Sequence, residues 1–128
     1  MTQSVKPNSA VTNLNFINAS GHTVGDVLLL PAAAAVRSCH IAATTVAAGE
    51  SGTVLSGPLV VELDHNTSDT IAFGAPCYWD ESADEVVNLV AAGNWFIGYC
   101  ANPGGVTTEA KILVKLDGGV TRENEIVG

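Results

Sequence analysis

Residues 110–116, AKILVKL, place Ala110, Ile112, Val114 and Leu116 at every second position and set Lys111 and Lys115 between them. A period of two is the period of a β-strand, whose successive side chains point to opposite faces. One face of such a strand is buried and the other is wet. Residues 59–64, LVVELD, repeat the pattern, with Leu59, Val61 and Leu63 inward and Glu62 and Asp64 outward. Shorter runs complete a set of about eight strands: DVLLL from Asp26, CHIAATTVA from Cys39, GTVLSG from Gly52, PCYWD from Pro76, EVVNLV from Glu85 and WFIGYCA from Trp95. Strands with one apolar face must bury it against another sheet or inside a closed one. The expected fold is therefore all-β, a small antiparallel β-barrel or β-sandwich.

The breaks between the runs carry turn chemistry. AAGESG, SGP and NPGGV supply glycines for positive φ and prolines that cannot donate to a ladder, and DESADE suits the tip of a hairpin. Two segments fit less well. DHNTSDTIAFG has room for one helical turn capped by Ser68 or Asp69, and PAAAAV after Leu30 reads as a close-packed loop or a sheet edge. Residues 1–13 are polar and carry no usable period, which predicts a flexible, extended N-terminal arm. A single β domain over 14–118 and a C-terminal tail over 119–128 complete the expected organisation.

Charge narrows the function classes. Thirteen acidic residues against five basic ones leave a formal net charge of -8. Nucleic-acid binding draws on cations that neutralise phosphates, so neither nucleic acid nor an acidic membrane surface is an expected partner. The longest apolar run, Val27 to Val36, contains Pro31 and is about half the length of a bilayer-spanning helix. The N-terminal residues lack the apolar core of a signal peptide, and a soluble chain is expected. Cys39, Cys77 and Cys100 make an odd number, which is not a secreted disulfide framework and points to a reducing compartment. Whether Cys77 and Cys100 are bridged is left open by the sequence.

No constellation reads as a chemical site. Asp80, Glu81, Asp84 and Glu85 crowd one hairpin tip, where carboxylates ordinarily face water and the spacing of a calcium loop is missing. Cys39 and His40 are adjacent, so on a strand they point to opposite faces and cannot share a metal ion. His22 and His65 are isolated, and no serine sits in a GxSxG turn. None of Lys6, Lys111 and Lys115 closes a phosphate-binding loop. The expectation is no catalytic, cofactor-binding or metal-ligating residue.

The aromatic residues are the remaining feature. Both tryptophans and both tyrosines fall between residues 74 and 100, in a stretch without lysine or arginine. Alternation puts Cys77 and Trp79 on one face of their strand and Tyr78 and Asp80 on the other. On the next aromatic run it groups Trp95, Ile97 and Tyr99 against Phe96 and Cys100. Aromatics on both faces suggest one side packed in the core and the other against a partner.

These segments resemble a family of small tailed-phage capsid decoration, or cement, proteins. The resemblance is carried over roughly residues 20–118 by Gly74, Pro76, Tyr78, Trp79 and Asp80, then by Gly93, Ile97 and Gly98. Members of that family are often labelled as predicted recombinases of the RecA/RadA type, a label the missing phosphate loop argues against. The N-terminal arm is longer than the family pattern. The resemblance implies a structural protein of the virion, made in the host cytoplasm and bound to the outer capsid surface. Its partners would be the phage major capsid protein and further copies of itself, as a homotrimer or, second, a dimer, without cofactor or catalysis. Tyr78, Trp79, Trp95, Phe96 and Tyr99 would form the oligomer or capsid interface. The alternative is a β-rich carbohydrate- or ligand-binding module whose exposed rings stack on sugars.

Overall fold

The computed structural model describes residues 12–17 and 21–127. The described residues form ten strands and no helix: β1 (Thr12–Ile17), β2 (Val27–Leu30), β3 (Val36–Ala42), β4 (Ser51–Ser56), β5 (Val60–Asp64), β6 (Pro76–Asp80), β7 (Glu85–Val87), β8 (Asn94–Cys100), β9 (Lys111–Leu116) and β10 (Val120–Arg122). They make two five-stranded antiparallel sheets. In the first, β1, β4, β3 and β10 follow one another and β2 pairs with β3; the second runs β5, β9, β8, β6, β7.

The eight runs read from the sequence correspond to β2 through β9. The alternation of β9 is realised directly, with Ile112, Val114 and Leu116 buried and Lys111 and Lys115 exposed. Ala110 lies just before the strand and is exposed. Leu29, Cys39 and Ile41 of the first sheet meet Leu63, Trp79, Trp95, Ile97, Ile112 and Val114 of the second. The apolar layer between the sheets makes this a sandwich. Full burial of each Val, Leu or Ile there contributes about 1.5–3 kcal/mol, before the opposing entropy of ordering it. The barrel alternative is not realised. The outer strands β5 and β7 of the second sheet are joined by one bridge, His65 to Val86, and one bond from Asn66 N to Val86 O (3.0 Å), rather than by a ladder.

Two short segments differ from expectation. In place of a helical turn after β5, Asn66 opens a β-turn: its carbonyl accepts from Asp69 N (3.0 Å) and its side chain from Ser68 N (2.9 Å). An asparagine at that position competes with helix by closing the turn through its own side chain. The alanine run is a mostly exposed loop joining β2 and β3, closed by Ala34 N donating to Pro31 O (3.2 Å). Of the arm expected over 1–13, residues 1–11 lie outside the described residues, while Thr12 and Asn13 begin β1. Within 119–128, residues 120–122 form β10.

Candidate functional site

The aromatic residues sit on β6 and β8, the paired strands at the middle of the second sheet. Trp79 lies opposite Trp95 and Tyr78 opposite Phe96. Trp79 and Trp95 enter the core between the sheets. Tyr78 and Phe96 turn to the outer face, where they meet edge-to-face at 5.9 Å and close a second, smaller apolar cluster with Val87. Val90 and Val127 lie over this cluster.

Tyr99 and Cys100 occupy the faces opposite to those the alternation predicts. The register slips between Cys77 and Tyr78: Cys77 pairs with Gly98, but Tyr78 pairs with Phe96, leaving Ile97 as an extra residue on β8. A bulge of this kind shifts the alternation by one. Ile97 and Cys100 thus point into the core, and Tyr99 joins Phe96 on the outer face, with ring centroids 5.3 Å apart. The consequence is a row of three rings, Tyr78, Phe96 and Tyr99, on one side of the sheet. Of the five residues singled out in the sequence, Tyr78, Trp79, Trp95 and Phe96 are buried within the chain and Tyr99 is 37 % exposed.

Two carboxylates of DESADE are engaged by the fold. Asp80 closes the β6–β7 hairpin by accepting from Ser82 N (3.0 Å), Ser82 Oγ (2.9 Å) and Ala83 N (3.2 Å). The Ser82 hydroxyl and these amides hold its carboxyl below the usual aspartate range. Glu81 accepts from Trp95 Nε1 (3.1 Å) and from Arg37 Nη1 (2.7 Å). Arg37 also donates from Nε to Ala34 O (2.8 Å), and its guanidinium stacks 4.2 Å from the Trp95 ring centroid. A cation over an indole face with a carboxylate alongside satisfies both charges at once. This clasp ties β3 of the first sheet to β8 and the hairpin of the second.

The cysteines and histidines are part of the packing. All three thiols are free and buried, and burial pushes Cys39 and Cys77 up to about 12, with the Cys100 thiol adding to the effect at Cys77. Cys39 and Cys77 are thus held as protonated thiols within the core. Cys39 and His40 do face opposite ways, since Cys39 enters the core while His40 is held between the hydroxyls of Ser38 (2.7 Å) and Ser56. Desolvation moves His40 below the ordinary histidine value. His65 donates from Nδ1 to Glu109 O (2.6 Å). Among the described residues no group of three or more His, Cys, Asp and Glu is arranged to hold a metal ion.

Two depressions mark the surface. One, of about 440 Å³, is lined by Asp26, Glu62, Asp64, Trp79, Asp84 and Lys111 among others. The other, of about 390 Å³, lies beside Tyr78 and is lined by Ile71, Pro76, Asn88, Val90 and Val127 among others. Phe73 and Leu89, 64 % and 60 % exposed, stand on the two segments that flank it. Sequence reasoning missed this pair, because neither residue interrupts a pattern and exposure of a loop residue leaves no local signal.

Comparison with known proteins gives one match: residues 2–116 fit the family model described as phage cement protein. The match starts well before residue 20, where the resemblance read from the motifs begins, so most of the N-terminal arm falls within the extent of the family. No curated protein and no solved structure matches the chain.

Proposed function

Because the chain belongs to the phage cement protein family, a structural family of the phage capsid, we propose that it decorates the outer surface of a tailed-phage head and stabilises the shell as a symmetric oligomer. The observation that carries this reading is the family match over residues 2–116, nine-tenths of the chain. Its partners are the major capsid protein and its own copies, with a trimer as the first arrangement and a dimer as the second. The role needs no catalytic group or cofactor.

The geometry supports such a role in two ways. A sandwich whose sheets are joined by both a core and the Arg37–Glu81–Trp95 clasp resists distortion, which suits a part that transmits load between neighbours. A capsid also repeats each docking site at fixed spacing, so weak contacts per subunit become avid when an oligomer engages several. Tyr78, Trp79, Trp95 and Phe96 then act from inside, fixing the β6–β8 pair, and Tyr99 is the ring presented to a partner. The sugar-stacking alternative relies on exposed rings, and both tryptophans are buried.

The test is to mix purified protein with undecorated, expanded heads and image the particles. Added density on the outer surface at symmetry axes is the expected result. Bare shells at micromolar protein would overturn the decoration role.

A further inference from the structure

We infer that the outer face of the second sheet, around Tyr99 and the groove beside Tyr78, is the surface through which copies of this chain bind one another. The inference rests on the proposed oligomer and names the face that carries it.

The second sheet is apolar on its inner side and, on its outer side, over β8, β6 and β7, while the outward positions of β9 and β5 carry Lys111, Lys115, Glu62 and Asp64. Its inner side is covered by the first sheet. Among the described residues, Val90 and Val127 lie over Tyr78, Val87 and Phe96 on its outer side. Further apolar side chains among the described residues stay exposed nearby: Tyr99 at the end of the aromatic row, and Phe73 and Leu89 on the segments that flank the groove. Single exposed hydrophobic residues are ordinary on a monomer; several gathered around one apolar groove mark a contact surface.

Charge decides the occupant. At a net charge of -8, two copies repel wherever acidic surface meets acidic surface. The groove has no ionisable side chain in its lining apart from the Tyr78 phenol, and the residue paired with Tyr99 on β9 is Lys115. The Asp69 carboxylate, next to the lining residue Thr70, accepts from Asn88 N (3.0 Å). Acidic side chains gather instead in the other depression, which holds Asp26, Glu62, Asp64 and Asp84 and lies at the β5 edge of the second sheet, away from the groove. A partner of opposite charge would seat on that acidic side. The groove and the adjoining Tyr99–Lys115 pair bring no carboxylate of their own, so identical acidic chains meet there with least repulsion, and a second copy of this chain is the occupant.

The experiment is light scattering and sedimentation on the full chain, comparing wild type, Tyr99→Ser/Leu89→Ser and a Val24→Ser/Val120→Ser control whose two positions are also exposed but lie outside the second sheet. Wild type and control should share one oligomeric mass. The Tyr99/Leu89 double variant should dissociate at least tenfold more readily while keeping a β-rich circular-dichroism spectrum. Should the double variant lose that spectrum, Leu89→Lys alone, outside the aromatic row, decides by the same readout. An oligomer that survives these changes overturns the surface and leaves the capsid role standing, and one that survives but no longer coats undecorated heads assigns the face to the shell instead. A monomeric wild type overturns the oligomer and this inference together. A wild-type oligomer that dissociates as expected yet never binds heads overturns the capsid role alone.

Discussion

Gly98 is the residue on which the aromatic row turns. A β-carbon there would lie 2.1 Å from the Lys115 carbonyl oxygen and 2.9 Å from Leu116 Cα, both backbone atoms that cannot swing aside. The close approach falls one residue after the extra Ile97, where Gly98 pairs with Leu116 of β9. Gly98→Ala is therefore expected to cost about 3 kcal/mol or more, read as a fall in the urea midpoint followed by tryptophan fluorescence. A wild-type midpoint would mean that β8 tolerates a straight register. Gly93, in the same motif, has a different reason: its φ of 85° lies in the left-handed region, with no atom near enough to obstruct a β-carbon. The sequence announces that both glycines belong to a pattern, but it does not distinguish a turn from a close approach. That difference depends on a neighbouring strand, and for the same reason period-two reading put Tyr99 and Cys100 on the wrong faces.

At the scale of elements, the strands with a long apolar period were legible and the short or polar ones were not. β9 and β5 follow from alternation alone, whereas β10 is three residues long and β1, TNLNFI, carries two asparagines, which are poor strand residues. The hairpin at DESADE was legible as a turn, but the work of its carboxylates was not, because Glu81 acts on Arg37, forty-four positions away. Asp80 can be tested directly. Its folded pKa lies below the usual 3.8, so its contribution is fully present above the unfolded value and is lost as the pH falls through the folded one. Asp80→Ala is expected to lower stability by about 1 kcal/mol at pH 7, with the gap to wild type narrowing as the pH drops below 3.8. Thermal melts of both proteins from pH 7 to pH 2.5 provide the check; a constant gap would show that the carboxylate charge adds nothing to the turn.

Across the whole molecule, the two sheets are held by more than their shared core. The chain returns to the first sheet after β9, where β10 pairs with β3, and then crosses back: Glu123 bridges to Trp95 and Asn124 N donates to Asn94 O (2.9 Å). Thr121 is buried in this crossing, and Val127 ends on the outer aromatic cluster. None of this was legible, since a three-residue strand has no period and a long-range bridge leaves no local signal. The family match ends at residue 116, before the crossing begins. A chain ending at Gly118 keeps every element of the family match yet loses β10, the bridge to Trp95 and the Val127 part of the cover over Tyr78 and Phe96. Its expected stability loss is about 3 kcal/mol or more, a large share of what a domain of this size possesses. Because Trp95 then loses its neighbour at Glu123, its emission should shift to the red at denaturant concentrations where the full chain remains native. If truncated and full-length proteins unfold at the same midpoint with the same emission, the core and the Arg37–Glu81–Trp95 clasp suffice to join the sheets, and the last ten residues serve the surface alone.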